Sequence, residues 1–270
     1  MPSISSPHPP PENYPSYRKA SAQEGPTFRS VHQRRHAASA FVQGAKKYQD
    51  VRPSYPHEVA ALIETAHTVL DVGAGTGKLT ETLSNPEVFA SDPSPDMARV
   101  LNRLGIPCWR ATAEDTALAS ASVDAITCAQ TWHWVDVGRA CAEFDRILRP
   151  GGRVMLVWNT LDVNADPWIL RLARIMHSGD VQRPGFYPSL AAPWEVRKEL
   201  RLTWEHTLTP EQLHQLMHTR SYWLRNSEKI HDRMTYNLNW YLFEHMGFHP
   251  GQELAIPYRT DAFVLARPGE

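Results

Sequence analysis

The chain has 270 residues, with 28 basic against 29 acidic side chains and a formal net charge of -1, so no global field draws in a phosphate backbone and a nucleic-acid partner is not expected. Its three cysteines, Cys108, Cys128 and Cys141, form no CxxC pair and stand apart from any spaced histidine, which argues against a disulfide framework and a zinc site and leaves no metal expected. No apolar run approaches the roughly 20 residues of a membrane span and no secretory leader opens the chain, so the expectation is a cytoplasmic monomer or homodimer whose partner is a small molecule.

Residues 1–26 include Pro9, Pro10 and Pro11 in a row and few large aliphatics. That is the composition of a flexible arm, with Tyr14 and Tyr17 as its aromatic residues. A helical segment is expected over 27–56, where 28–48 lacks proline and carries Ala37, Ala38, Ala40, Phe41 and Ala45. Arg52-Pro53 and Tyr55-Pro56 end it.

From 57 to 160 helical and extended patterns alternate. Helices are predicted over 57–66, 79–83, 95–104 and 138–148, and strands over 68–72, 88–91, 107–110, 123–129 and 154–158. Ser94 is placed as an N-cap with Pro95 at the first helical position, and Arg149-Pro150-Gly151-Gly152 closes the last of these helices. Strands separated by helices of this length specify an α/β fold, a Rossmann-like doubly wound and mostly parallel sheet. Between 161 and 253 the rhythm is lost. Trp168, Trp194, Trp204, Trp223 and Trp240 fall there beside helix-like stretches at 166–177, 210–219 and 227–245, read as a cap insertion with late core elements and aromatic walls. Residues 254–270 hold a last strand centred on 262–266.

The chemistry concentrates at 69–78, VLDVGAGTGK, a strand running into a glycine turn. Gly73, Gly75 and Gly77 permit positive φ angles and close backbone approach. A phosphate-cradling P-loop needs glycine where Val72 stands and a hydroxyl where Leu79 stands, and a dinucleotide fingerprint needs glycine at Lys78. Both fail. Asp92, at the tip of the next strand, is placed to accept hydrogen bonds from two ribose hydroxyls.

What remains, Asp71 to Gly77 as D-x-G-x-G-x-G, resembles motif I of the class I S-adenosylmethionine-dependent methyltransferases. Ala129-Gln130-Thr131-Trp132-His133-Trp134 resembles the AQ-x-x-HW segment of a subfamily related to the trans-aconitate and the ubiquinone/menaquinone C-methyltransferases. Tyr48, Arg52, Pro53, Tyr55 and Pro56 resemble its Y-x-x-x-R-P-x-Y-P lead-in, and Leu148 to Gly152 and Trp158-Asn159 its later landmarks, so the likeness spans 41–159. It implies a cofactor, S-adenosyl-L-methionine with S-adenosyl-L-homocysteine as product, lying across Asp71, Gly73, Ala74, Gly75 and Asp92. The adenine would lie by Met97, Thr112, Ala113 and Glu114, and the methionine end by Tyr48, Arg52 and Gln130. His133, beside this crevice, is the candidate general base, since an unperturbed imidazole titrates at about 6.5, suited to proton removal near neutral pH. Tyr17 and Tyr222 are candidates for orienting the acceptor. The expected reaction is methyl transfer to a small, planar or aromatic molecule, in its most specific form carbon 3 of an indole natural product in secondary metabolism. An RNA or protein methyltransferase, or a cofactor-binding protein without chemistry, are the alternatives.

Overall fold

The structure, a computed structural model, describes residues 51–178 and 182–270. The arm, the helices expected over 28–48, and with them Tyr14, Tyr17 and Tyr48, lie outside the described residues. Seven strands form one sheet: β1 Thr68–Val72, β2 Glu87–Ser91, β3 Cys108–Trp109, β4 Val123–Ala129, β5 Leu148–Leu161, β6 Glu195–Leu208 and β7 Leu254–Ala266. Their order is β3-β2-β1-β4-β5-β7-β6. All pairs from β3 to β5 are parallel, whereas β7 runs antiparallel to both β5 and β6. This is the Rossmann-like α/β architecture that the alternating pattern predicts.

Alternation along the strands supplies two apolar faces. Leu70, Ile126 and Leu156 face α3 (Val137–Ile147), whose Ala140, Cys141, Phe144 and Ile147 form a buried stripe. Val69, Ala125, Met155 and Val157 face Val59, on α1 (His57–Ala60), and Ile63 just after it. Beyond β5 lie α4 (Pro167–Ile175), α5 (Pro210–His218), α6 (Ser221–Leu224) and α7 (Glu228–Asn239), the last continuing as a π-helical turn over Trp240–His245. These pack a third core against Leu161, Leu254, Ile256 and Tyr258. α2 (Pro95–Arg103) starts as expected, with Ser94 Oγ accepting from Met97 N–H and Pro95 in the first turn.

Three elements differ from the sequence expectation. The helix expected over 79–83 shrinks to a 3₁₀ turn, Thr80–Thr82, because Thr82 Oγ1 bonds back to the Leu79 carbonyl and Thr80 Oγ1 to Asp71, and such local bonds compete with helix. β5 begins at Leu148, since that residue already pairs with Val123. β6 is a fourteen-residue strand within the stretch read as a cap insertion with late core elements, where no strand was specified.

A buried charge cluster ties β6 and β7 to the segment before them. Asp261 on β7 is fully buried and accepts from Arg259 Nε at 2.8 Å and Arg201 Nη1 at 2.7 Å. The same guanidinium groups donate to the Gln182 and Phe186 carbonyls. Of the two roles open to the tryptophans, walling a substrate cap or packing it onto the sheet, the contacts observed are packing ones. Trp194 Nε1 donates to the Cys141 carbonyl and Trp204 Nε1 to Thr260 Oγ1, while Trp223 is stacked against His231. The cavity described next is lined by none of the five.

Candidate active site

At the end of β1 the chain enters the glycine turn with φ of +66° at Gly73, +58° at Gly75 and +86° at Gly77. The Gly73 and Ala74 N–H groups donate to the Ser91 carbonyl at 2.8 and 3.1 Å, which ties the turn to β2. A Cβ on Gly73 would stand 2.3 Å from Thr131 Cγ2, whereas one on Gly75 would meet nothing within 4 Å. Gly75 therefore opens onto a cavity of about 660 Å³ at the carboxyl ends of the parallel strands. The strand order reverses between β1 and β4, the place where open α/β sheets bind ligands.

Ten of the residues expected to hold cofactor line this cavity: Arg52, Gly73, Ala74, Gly75, Asp92, Met97, Thr112, Ala113, Glu114 and Gln130. Asp92 is 8% exposed; its Oδ2 accepts from Gly75 N–H at 2.9 Å and its Oδ1 from Ser94 N–H at 2.8 Å. Burial pushes its pKa up and the two amides oppose that shift. Each oxygen keeps acceptor capacity for a ligand hydroxyl. Glu114 accepts from the Asp136 N–H at 2.7 Å, fixing the wall beyond. Gln130, at φ +52°, donates its Nε2 to the Asn159 carbonyl. Its Oε1 is buried without a hydrogen-bond partner among the described residues, an acceptor that a ligand N–H would satisfy. The open cradle at Gly75, the carboxylate of Asp92 and this acceptor fit the adenosine and amino-acid parts of S-adenosylmethionine.

Asp71 stands beneath the turn rather than on the cavity wall. It is fully buried, with Thr80 Oγ1 donating at 2.6 Å and Thr127 Oγ1 at 2.7 Å. Burial raises its pKa from 3.8 to about 6, against the two hydroxyl bonds. For an acid whose folded pKa is raised, the added stability is full below the unfolded value and is lost as pH rises through the folded value. At about 1.4 kcal/mol per unit, the wild type should lose on the order of 3 kcal/mol between pH 4 and 7.5 relative to Asp71→Asn. Urea midpoints of both proteins at the two pH values test this; a constant difference would refute the assignment.

The catalytic candidates need correction. His133 does not line the cavity. It sits in a 3₁₀ turn, Trp132–Trp134, where residues three apart share a face. Thr131 and Trp134 therefore reach the cavity, Trp132 is buried in the core, and the His133 ring packs on Trp134 at 4.9 Å. Tyr222 is likewise absent from the wall and stacks on His177 at 3.9 Å. Tyr17 and Tyr48 lie outside the described residues. Conversely, Asn159, Arg220 and Tyr258 line the cavity without having been singled out for it. Asn159 Nδ2 donates to the Ser54 carbonyl and its Oδ1 accepts from Thr260. Arg220 and Tyr258 belong to no local motif; only the tertiary fold brings them in.

A methyltransferase-domain family model matches residues 70–156, from β1 into β5. An uncharacterized methyltransferase of Mycobacterium tuberculosis is 38% identical over 235 residues, covering 84% of this chain and 95% of its own. The chain belongs to the S-adenosylmethionine-dependent methyltransferases. An uncharacterized methyltransferase-like protein of Schizosaccharomyces pombe is 33% identical over 212 residues, covering 71% and 82% of the two chains. Among solved structures, one assigned as a type II methyltransferase from Anaeromyxobacter dehalogenans superposes with a TM-score of 0.56 at 24% identity, over 80% of this chain and 97% of that one. Among the described residues no helix is long and apolar enough to cross a membrane.

Proposed function

We propose that this methyltransferase acts on a small, planar or aromatic acceptor, with carbon 3 of an indole ring as its most specific form. The observation that carries this reading is the cavity: about 660 Å³, bordered by Tyr55, Trp134 and Tyr258. That volume lies in the small-ligand range. Aromatic walls of this kind favour a flat acceptor. Near-neutral charge gives no support to an RNA substrate.

S-adenosylmethionine supplies an electrophilic methyl on a sulfonium that is already a good leaving group. The chain's own task is then to align acceptor and methyl and to exclude water. The backbone of Gly73 to Gly75 and the Asp92 carboxylate hold the nucleoside. Gln130 Oε1 receives the ammonium, and Arg52 faces the carboxylate, itself held by Nε and Nη2 bonds to Thr219. With His133 off the wall, no base at that position is required of an acceptor that loses its proton only after transfer, as an aromatic carbon does.

Asp92→Ala is expected to weaken S-adenosylhomocysteine binding by roughly 1.5 to 3 kcal/mol, about 10- to 150-fold, through loss of a charged acceptor. Calorimetry checks it, and an unchanged dissociation constant places the ribose elsewhere. The reaction itself is tested with methyl-labelled cofactor against indoles, phenols, carboxylic acids, transfer RNA and peptides. Label in transfer RNA or peptide alone would overturn the small-molecule reading. Cofactor binding with transfer to nothing would favour a protein without chemistry.

A further inference from the structure

Charge is segregated along the cavity. The acidic residues among its described lining, Asp92, Glu114 and Asp136, stand on the side of β2, β3 and the start of α3, accompanied by Arg110 and Arg139. On the side of β5 and β7 the lining carries Arg52, Lys78 and Arg220 with Asn159 and Tyr258, and no described carboxylate. The three cations are near one another in structure. Ser54, two residues after Arg52, donates its hydroxyl to the Lys78 carbonyl and accepts from Asn159, and Arg52 is fastened to Thr219, the neighbour of Arg220.

Lys78 is the decisive member. It is half-buried at the cavity, and among the described residues its ammonium forms no ion pair or side-chain hydrogen bond. Its charge reaches neighbouring His206, whose pKa is held down by burial first and then by Lys78, against the bond to the Val51 carbonyl. A cation that lines a cavity without an anion is free to meet one on a ligand in a charge-assisted hydrogen bond. The cofactor does not suffice. Its amino-acid end carries one carboxylate against an ammonium and a sulfonium, and Arg52 already faces that carboxylate.

We infer that Lys78, with Arg220 in the same cavity lining, is a specificity-determining cation for the acceptor, and that the acceptor carries an oxyanion, a carboxylate or a phosphate ester, at the end pointing toward β5. This rests on the methyl-transfer reading and adds to it a handle: the substrate is a small acid rather than a neutral ring.

The test uses the full chain saturated with S-adenosylhomocysteine. Aromatic and aliphatic carboxylates, each paired with its amide, and phosphate esters, each paired with its alcohol, are titrated by calorimetry into wild type, Lys78→Gln and Lys78→Arg. The wild type should prefer the acid of at least one pair by about tenfold or more, a preference that shrinks with added salt. Lys78→Gln should lose about fivefold of it while homocysteine-product affinity stays within about twofold, and Lys78→Arg should restore most of it. The arm with the larger preference distinguishes carboxylate from phosphate. No acid favoured over its neutral partner would overturn the inference while leaving methyl transfer intact. So would Lys78→Gln weakening the cofactor product as much as the acid, because the lysine then serves the cofactor. Failure of the product itself to bind the wild type would bring down both readings.

Discussion

Gly73→Ala is expected to lower cofactor affinity by at least about 100-fold and to destabilise the fold by roughly 2 to 4 kcal/mol, from left-handed strain of about 1 to 2 kcal/mol plus a similar overpacking cost. Two observations combine here. The residue has φ of +66°, and an added Cβ would lie 2.3 to 2.9 Å from three atoms of Thr131. Thr131 has little room to give, since its hydroxyl bonds the Gly73 and Ala129 carbonyls, both at 3.0 Å. The turn must therefore move, and with it the Gly73 and Ala74 amides now bonded to Ser91. Gly75→Ala separates the two costs. Its Cβ meets no protein atom, so stability should fall by only about 1 kcal/mol of strain, while affinity still drops because the methyl group enters the cavity. Thermal unfolding and calorimetry with S-adenosylhomocysteine on both variants decide it. Equal destabilisation by the two substitutions would show that Thr131 does not confine the turn.

Asp261→Ala should cost about 3 to 5 kcal/mol, the range for removing one partner of a buried ion pair. The carboxylate is fully buried between Arg259, whose side chain is 9% exposed, and Arg201, at 23%. Without it Arg259 keeps the Gln182 carbonyl, and Arg201 keeps the Phe186 carbonyl and the more exposed Glu199 carboxylate at 3.2 Å. Arg201 retains ring contacts to Phe186, Tyr187 and Phe263, so Arg201→Ala, which leaves the Arg259 pair in place, should cost less. Urea unfolding measures both. A change of less than about 1 kcal/mol in Asp261→Ala would mean that water reaches the cluster and screens it.

The parts of the fold legible in sequence are those governed by local chemistry. The turn after β1 could be read from glycine spacing, α2 from Ser94 and Pro95, and the core strands from continuous apolar runs. β6 was passed over because its first part is irregular: Glu195, Arg197, Lys198 and Glu199 with a register shift between Val196 and Lys198 hide the period, although Leu200, Leu202, Trp204, His206 and Leu208 alternate with Arg201, Thr203, Glu205 and Thr207 behind it. In the site, the cofactor side follows from the turn and Asp92, both within one βαβ unit. His133 was placed on the wall because the segment 130–134 reads as a strand end, whereas the chain turns there into a 3₁₀ helix from which Thr131 and Trp134 line the cavity and His133 does not. Arg220 and Tyr258 enter only through long-range packing, and no periodicity announces that.

The placement of β7 between β5 and β6 also orders events in time. β6 leaves the ribosome before β7 but has no other partner in the sheet, so its fourteen residues must wait, unpaired, for a strand made almost fifty residues later. Pairing of such separated segments is slow and leaves intermediates exposed. The charged side chains along β6 protect that waiting strand from joining the wrong chain. Residues 254–266 thus act as a latch: a nascent chain arrested before them should hold its parallel half folded while β6 stays open to proteolysis.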